Sequence, residues 1–472
     1  MSVEKNATLV FIPFPVASHQ ASAVKMAKLL TDRDKRLSVT IILIKLPVVN
    51  NIDSNSNKIS PDSRITFVEL PENDSTYTEW SKSPISFMAH FIRSQMGAFR
   101  DAVADLSKSS KIAGFVVDMF CTAMIDVANE LGVPSYVYFT CGAATLGLFL
   151  HLQNISDEQN LDLTEYKNSD AAISVPTYVH PVPAKVWPTL VFEKESTFWR
   201  KFSETKGIIT NTFLEFETHA ISALSRDEKI PPVYPVGPII ESMGEEIDDR
   251  DKDKHGEIIE WLDGQHDSSV VFLCFGSRGC FESDQVKEIA MALENSGHRF
   301  LWSLRKPPPK EKFQFPGEYD DFREVLPDGF LDRTVGIGKV IGWAPQMDVL
   351  SHPAVGGFVS HCGWNSTLES VCCNVPMATW PLSAEQQANA FQLVKEFGMA
   401  VDIKMEYNTR TCNEIVPAEK IEKAVRELMD PENEGRAKVK MLSEKSREVM
   451  TKGGSSYDFL GRFIDSVWDD VS

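Results

Sequence analysis

The chain has 472 residues, a formal net charge of −19 at neutral pH, and 43% hydrophobic against 24% charged residues. That balance is ordinary for a folded globular protein, excludes general disorder, and leaves room for two domains of about 200 to 250 residues. Nucleic acid and anionic membrane surfaces need a basic footprint, so neither is expected as a partner, and any anionic ligand has to be held by a local field.

The N-terminal stretch MSVEKNATLVFIPF has a short apolar run followed by prolines, too short for a signal h-region or a membrane span. A cytoplasmic chain without stable membrane insertion is expected. The run TLVFIPFP leads through the turn VASHQ into ASAVKMAKLLTDR, which has helical spacing. IAGFVVDMF leads likewise into TAMIDVANELG, and PSYVYFT into GAATLGLFLHL. Continuous β-rich runs alternating with helices predict a parallel sheet covered on both faces.

From Ile239 to Gly256 the chain turns acidic and polar (IIESMGEEIDDRDKDKHG) and loses apolar periodicity. This predicts a linker, residues 239–256, between a first domain, 1–238, and a second, 257–452. In the second the alternation restarts with SSVVFLCFGS, a helix around SDQVKEIAMALENSG, then RFLWSLR, GKVIGW, VGGFVS and VPMATW. The Pro-rich, charged KPPPKEKFQFPGEYDDF predicts a surface excursion, and KGGSS a loop before a last helix within 453–472 that returns to the first domain. Eight scattered cysteines without a CxxC pair predict buried, reduced thiols. His352, His361 and Cys362 fall short of the four ligands of a structural zinc site, so no metal is expected.

Ligands of open α/β sheets bind beyond the carboxyl ends of the strands. That rule selects His19, after the first apolar run, Asp118, ending the run IAGFVVD, Ser277, after VVFLC, and His361, after VGGFVS. Two domains with facing strand ends would gather all four around one cleft. Asp118 hydrogen-bonded to one ring nitrogen of His19 would leave the other nitrogen as a general base; a helix cap or a surface histidine is the plainer reading. In HCGWNSTLES, Asn365, Ser366 and Thr367 suit the cap of a core helix, and the same turn equally suits an anion held by free N–H groups at a helix start. Trp343 is either core filler or a flat platform for a base. Glu369, four residues past Asn365, could accept from a pair of hydroxyls, while Glu385 and Gln386 open another helix. No G-x-S-x-G, P-loop or G-x-G-x-x-G motif occurs, and Cys362 reads as packing rather than a nucleophile.

The segment from Trp343 to Gln386, WAPQMDVLSHPAVGGFVSHCGWNSTLESVCCNVPMATWPLSAEQ, resembles the signature box of plant secondary-product UDP-glycosyltransferases. FGSRGCFESDQVKEIAMALENSGHRFLWSLR and VVDMFCTAMIDVANELGVPSYVYFT resemble the family's flanking regions. The likeness spans nearly the whole chain and is greatest to members that glucosylate phenolic and terpenoid hydroxyls. It implies a GT-B fold of two facing Rossmann-like domains and metal-independent, inverting transfer by a monomer. It also implies that His19 deprotonates the acceptor and Asp118 orients it. Trp343 would stack on uracil beside the Ala344 backbone, and Gln346 and Glu369 would take the ribose. Ser277, His361, Asn365, Ser366 and the Gly363 backbone would hold the diphosphate. Glu385 and Gln386 would read the sugar with Trp364 and Thr140 near them, and a glutamine at position 386 implies UDP-glucose as donor. Phe14, Met119 and Phe120 are candidates for an apolar acceptor wall. Two positions depart from the family pattern: Ser18 and Asn374 stand where glycine is usual, which raises the question of positive φ at each. The alternatives from other classes are a non-catalytic UDP-sugar-binding protein and a hydrolase built on His361 and Cys362.

Overall fold

A computed structural model describes residues 6–46, 64–71, 84–167, 169–193, 198–240, 252–309, 315–407 and 414–469. Strand β1, Ala7–Ile12, is buried at every position, as a strand covered on both faces must be. It is followed by β2 (Leu37–Leu43), β3 (Ile65–Glu69), β4 (Ile112–Asp118), β5 (Ser135–Phe139), β6 (Gly207–Thr210) and β7 (Val233–Pro235), in one parallel sheet of order β3-β2-β1-β4-β5-β6-β7. A second parallel sheet contains β8 (Val270–Cys274), β9 (Arg299–Ser303), β10 (Gly338–Ile341), β11 (Val355–Ser360), β12 (Met377–Thr379) and β13 (Ala400–Asp402), ordered β10-β9-β8-β11-β12-β13.

In each sheet the chain grows outward in one direction and then jumps back across the first strand. The reversal in the first sheet falls between β1 and β4, where Ile12 pairs with Val117. In the second it falls between β8 and β11, where Cys274 pairs with Ser360. No crossover connection covers the crevice at such a reversal, so ligands bind there. His19 and Asp118 follow or end the strands at the first reversal, and Ser277 and His361 follow those at the second.

One contiguous apolar cluster passes from the first sheet (Val10, Val117, Phe139) into the second (Phe272, Phe358) and the helix against it (Leu368). The outer face of the first sheet is closed by the helix Ser455–Asp469, whose Leu460, Phe463, Ile464 and Val467 pack with Leu9, Phe11 and Val39. Its Trp468 Nε1 donates to Asp34 at 2.9 Å. The acidic stretch expected as a linker behaves differently at its end: the helix Lys252–Asp263 already contains Lys252 to Gly256, while residues 241–251 lie outside the described residues. Its apolar side, Ile258 and Leu262, is buried, a pattern too sparse among the charges to see in sequence.

The helix Ala143–Gln159 starts on Gly142 with no cap from its own side chains. Its first N–H groups are satisfied from elsewhere: the Glu217 carboxylate accepts from Ala143 N at 2.7 Å and Ala144 N at 2.9 Å. Gln392 Nε2, on the other lobe, donates to the same carboxylate at 2.8 Å. Glu217 is 1% exposed, so this is a buried anion held by a helix N-terminus and an amide. Glu217→Ala leaves those three donors without their acceptor, and it is expected to lower stability by about 2–4 kcal/mol, read as a lower urea midpoint.

Candidate active site between the two sheets

The helix Ala17–Arg33 begins earlier than its apolar spacing indicates, so His19 stands on its first turn and not in a loop. Ser18 is inside that turn and is absent from the positive-φ residues, so a side chain there is accommodated without left-handed strain. From this turn His19 Nδ1 lies 2.7 Å from Asp118 Oδ2. Asp118, 2% exposed, also accepts from Phe120 N at 3.0 Å through Oδ1. A buried carboxylate beside Nδ1 makes that nitrogen the donor, which leaves Nε2 of the neutral ring with its lone pair. Burial pulls the pKa of His19 down, but the Asp118 charge and hydrogen bond, with a further contribution from Glu385 across the cleft, leave it raised above the ordinary 6.5.

Phe14 and Phe120 flank the imidazole, with centroids 5.6 and 5.7 Å from it and 5.0 Å from each other. Phe198, which sequence reasoning missed, extends this aromatic wall at 4.9 Å from Phe120. Its segment lacks helix or strand periodicity, so nothing local marked it. Met119 is instead 2% exposed and part of the core, because alternation along the chain end turns it away from its neighbours Asp118 and Phe120. Thr140 Oγ1 approaches its sulfur at 3.9 Å.

On the other lobe, Ser277 is exposed in the turn after β8, beside Gly276 at φ +71°. A Cβ on Gly276 would come within 2.7 Å of His361 Nε2, and one on Gly363 within 2.6 Å. Two bare backbones therefore cradle the ring. Burial depresses the pKa of His361 to about 4, so it is neutral at pH 7, and its Nδ1 is buried with no hydrogen-bond partner among the described residues. The helix Trp364–Cys372 starts on Gly363 with no side-chain cap. Among the described residues no hydrogen bond from Asn365, Ser366 or Thr367 caps it, and no acceptor stands at its first N–H groups, an arrangement compatible with an anion there. Cys362, 0% exposed, sits at φ +63° and gives its thiol proton toward Ser360 O at 3.5 Å. Burial pushes that thiol up to about 12, which makes it packing and removes the thiol-nucleophile reading.

Trp343 is 39% exposed, while Ala344 beside it is buried. Gln346 Nε2 donates to Ser366 Oγ at 2.8 Å and to Glu369 Oε2 at 2.6 Å, so three residues from two helices converge. The Trp343 backbone N–H donates to Glu318 Oε1 at 3.1 Å. Glu318 belongs to the Pro-rich excursion, which therefore returns to the site and does not merely cover surface; Arg305 holds it through Pro316 O at 2.7 Å. Residues 310–314 of that stretch lie outside the described residues.

Glu385 is half-buried at the start of the helix Gln386–Phe391. Burial raises its pKa, with its own backbone N–H and the His19 charge pulling the other way. Gln386 Oε1 accepts from Leu382 N and Ser383 N, both at 2.8 Å, so its amide shapes the loop that carries Glu385. Trp364 differs from expectation. Its indole N–H donates to Asn211 O at 2.6 Å and its ring lies over Phe216 and against Gly142, so the side chain joins the lobes and is not turned to an open cleft. Asn389, also missed, ties the same junction by donating to Cys362 O at 3.0 Å and accepting from Thr145 at 3.2 Å. Among the described residues no group of three or more His, Cys, Asp or Glu could hold a metal ion, and no helix is long and apolar enough to cross a membrane.

Two Rossmann-like lobes whose strand-end reversals face one another, one bearing a histidine–carboxylate pair and the other an uncapped helix start, define a GT-B glycosyltransferase. Residues 95–441 match the family model for UDP-glucoronosyl and UDP-glucosyl transferases, and the chain belongs to that family as a UDP-glycosyltransferase. It is 52% identical to the putative UDP-glucose flavonoid 3-O-glucosyltransferase 3 of Fragaria ananassa, over 98% of this chain and 100% of that one. It is 53% identical to UDP-glycosyltransferase 71E1 of Stevia rebaudiana, over 97% and 98%. A Siraitia grosvenorii transferase crystallised with UDP superposes with a TM-score of 0.88 at 46% identity, covering 98% of this chain and 100% of that one. Medicago truncatula UGT71G1 complexed with UDP-glucose gives 0.88 at 39% identity, covering 99% and 100%.

The His19–Asp118 geometry has a direct consequence. Asp118→Asn removes the charge and keeps the burial, so the pKa of His19 is expected to drop below 6.5 in an NMR titration of its ring protons. In the wild type the raised pKa makes the pair stabilising below the ordinary histidine value, and that increment fades as pH rises through the folded-state pKa.

Proposed function

We propose that the protein transfers glucose from UDP-glucose, with inversion, to a hydroxyl of a small phenolic acceptor of the flavonoid kind, with terpenoid hydroxyls and small acids as further candidates. The carrying observation is that the free Nε2 of an Asp118-anchored His19 and the uncapped start of the Trp364–Cys372 helix belong to opposing strand-end reversals. Flavonoid acceptors and the UDP-glucose donor are suggested by the names of the Fragaria relative and the Medicago complex, and the aromatic wall of Phe14, Phe120 and Phe198 suits a flat ring. Residues 1–238 are the acceptor lobe and 257–452 the donor lobe, with the last helix returning to the first.

His19 Nε2 takes the proton of the acceptor hydroxyl while Asp118 steadies the imidazolium that forms. The acceptor oxygen attacks the anomeric carbon on the face opposite UDP, through an oxocarbenium-like state, and the bond to the diphosphate breaks. Charge growing on the diphosphate meets the N–H groups of Gly363, Asn365 and Ser366, the Ser277 hydroxyl, and a neutral His361 acting as a donor. Oriented dipoles perform this task without a metal ion. Trp343 stacks on uracil beside Ala344, Gln346 and Glu369 take the ribose hydroxyls, and Glu385, with Gln386, Thr140 and the helix start at Trp364, faces the sugar. Both halves of the cleft come from one chain, which supports action as a monomer. Location in the cytoplasm is part of this reading, to which the scattered cysteines without a CxxC pair point.

His19→Ala is expected to lower kcat by about 10²–10⁴-fold while UDP affinity by calorimetry stays within a few-fold; normal turnover of an aliphatic alcohol would remove the base role. Because the base must be neutral and its pKa is raised, kcat/KM is expected to fall on the acid side with a midpoint above 6.5. Glu369→Ala is expected to weaken UDP binding by about tenfold or more, from the lost charged hydrogen bonds, and an unchanged donor KM contradicts the ribose assignment.

A further inference from the structure

The loop that carries Glu385 contains Ala384 at φ +55°. A non-glycine residue there costs about 1–2 kcal/mol, so neighbours have to hold it. Gln386 braces the loop from within, through Leu382 N and Ser383 N. The outer brace is Tyr407, five residues beyond β13: its hydroxyl donates to Ala384 O at 2.6 Å, and its backbone N–H donates to Gln387 Oε1 at 3.1 Å. The same hydroxyl lies 3.1 Å from Thr189 Oγ1, and since its own proton goes to Ala384, Thr189 is the donor. Thr189 opens a short 3-10 turn, Thr189–Phe192, of the first lobe. Two residues earlier, Trp187 O accepts from Gln387 Nε2. The first lobe thus grips both flanks of the loop, Ala384 through Tyr407 and Gln387 directly. The residue is half-buried, and burial raises the pKa of its phenol to about 12, so it keeps its donor proton across the working pH range.

We propose that Tyr407 is a positioning residue: the relay Thr189 to Tyr407 to the Ala384 carbonyl sets where Glu385 stands, and with it the discrimination among donor sugars, and ties that geometry to the docking of the first lobe. Tyr407 touches neither sugar nor nucleotide in this scheme. Its effect passes through the loop, and the inference rests on the reading of Glu385 as the sugar-facing group.

The test is Tyr407→Phe, which keeps the ring and its packing and deletes only the hydroxyl. Kinetics with UDP-glucose and UDP-galactose, which differ in the configuration of one ring hydroxyl, are measured beside calorimetric UDP binding and the thermal midpoint. The preference for UDP-glucose in kcat/KM is expected to fall about three- to tenfold, the worth of one hydrogen bond, while UDP affinity, set by Trp343, Gln346 and Glu369, stays within twofold. Thr189→Val shifts the preference in the same direction by less, and the double variant is no worse than Tyr407→Phe because both bonds belong to one relay. An unchanged preference in Tyr407→Phe overturns the inference, as does a loss of UDP affinity in proportion to turnover, which marks general loosening. Should Tyr407→Phe fail to fold, Thr189→Val, which leaves the Ala384 bond intact, carries the same comparison: a reduced preference supports the relay and an unchanged one overturns it. A wild type that transfers no glucose sinks the functional reading itself, an outcome separate from an active wild type whose variants keep their preference.

Discussion

The docking of Trp364 between the lobes is the constraint on which the site depends. Its indole donates to Asn211 O at 2.6 Å and fills the space left by Gly142, where a Cβ would approach the ring within 2.6 Å. Trp364 is also the first residue of the helix whose N–H groups stay uncapped. Packing the side chain into the first lobe therefore fixes where that helix starts, and one residue links lobe assembly to the proposed anion site. Asn389 and Glu217 fasten the same seam with buried hydrogen bonds, so the two reversals are held in one relation by polar contacts that lose their value if the lobes separate.

Two histidines at this cleft have opposite electrostatic fates. His361 is buried against glycine backbones with no counter-charge among the described residues, and desolvation keeps it neutral. His19 is also desolvated, yet Asp118 at 2.7 Å outweighs that effect and raises its pKa. The same side chain is held neutral in one lobe and has its protonated form favoured in the other, by environment alone. In the proposed scheme a protein with a net charge of −19 holds its diphosphate through dipoles instead of a surplus of cations.

Two of the non-glycine residues with positive φ adjoin the cleft. Cys362, Ala384 and Asn374 all have positive φ. Cys362 precedes the uncapped helix and Ala384 precedes Glu385, whereas Asn374 turns the chain after that helix toward β12. The first two are held by surrounding hydrogen bonds, Asn389 to Cys362 O and Tyr407 to Ala384 O. Left-handed geometry that would relax in isolation persists because the fold surrounds it.

Local pattern alone determined the alternation of apolar strands and helices and the positions of His19, Asp118, Ser277 and His361 at strand ends, since each depends on residues adjacent in the chain. The family likeness supplied the roles. What only the tertiary structure decided are the pairings between distant segments. Glu318 reaches Trp343 from a Pro-rich excursion, and Phe198 joins the wall beside His19 from a stretch without periodicity. Trp364 turns into the lobe junction, Met119 into the core, and the helix start at Lys252 forms on two buried apolar residues amid charges. Short-range periodicity records which face of an element is buried; it carries no information about which loop from hundreds of residues away will supply a hydrogen-bond partner, because that choice is made by packing the two lobes together.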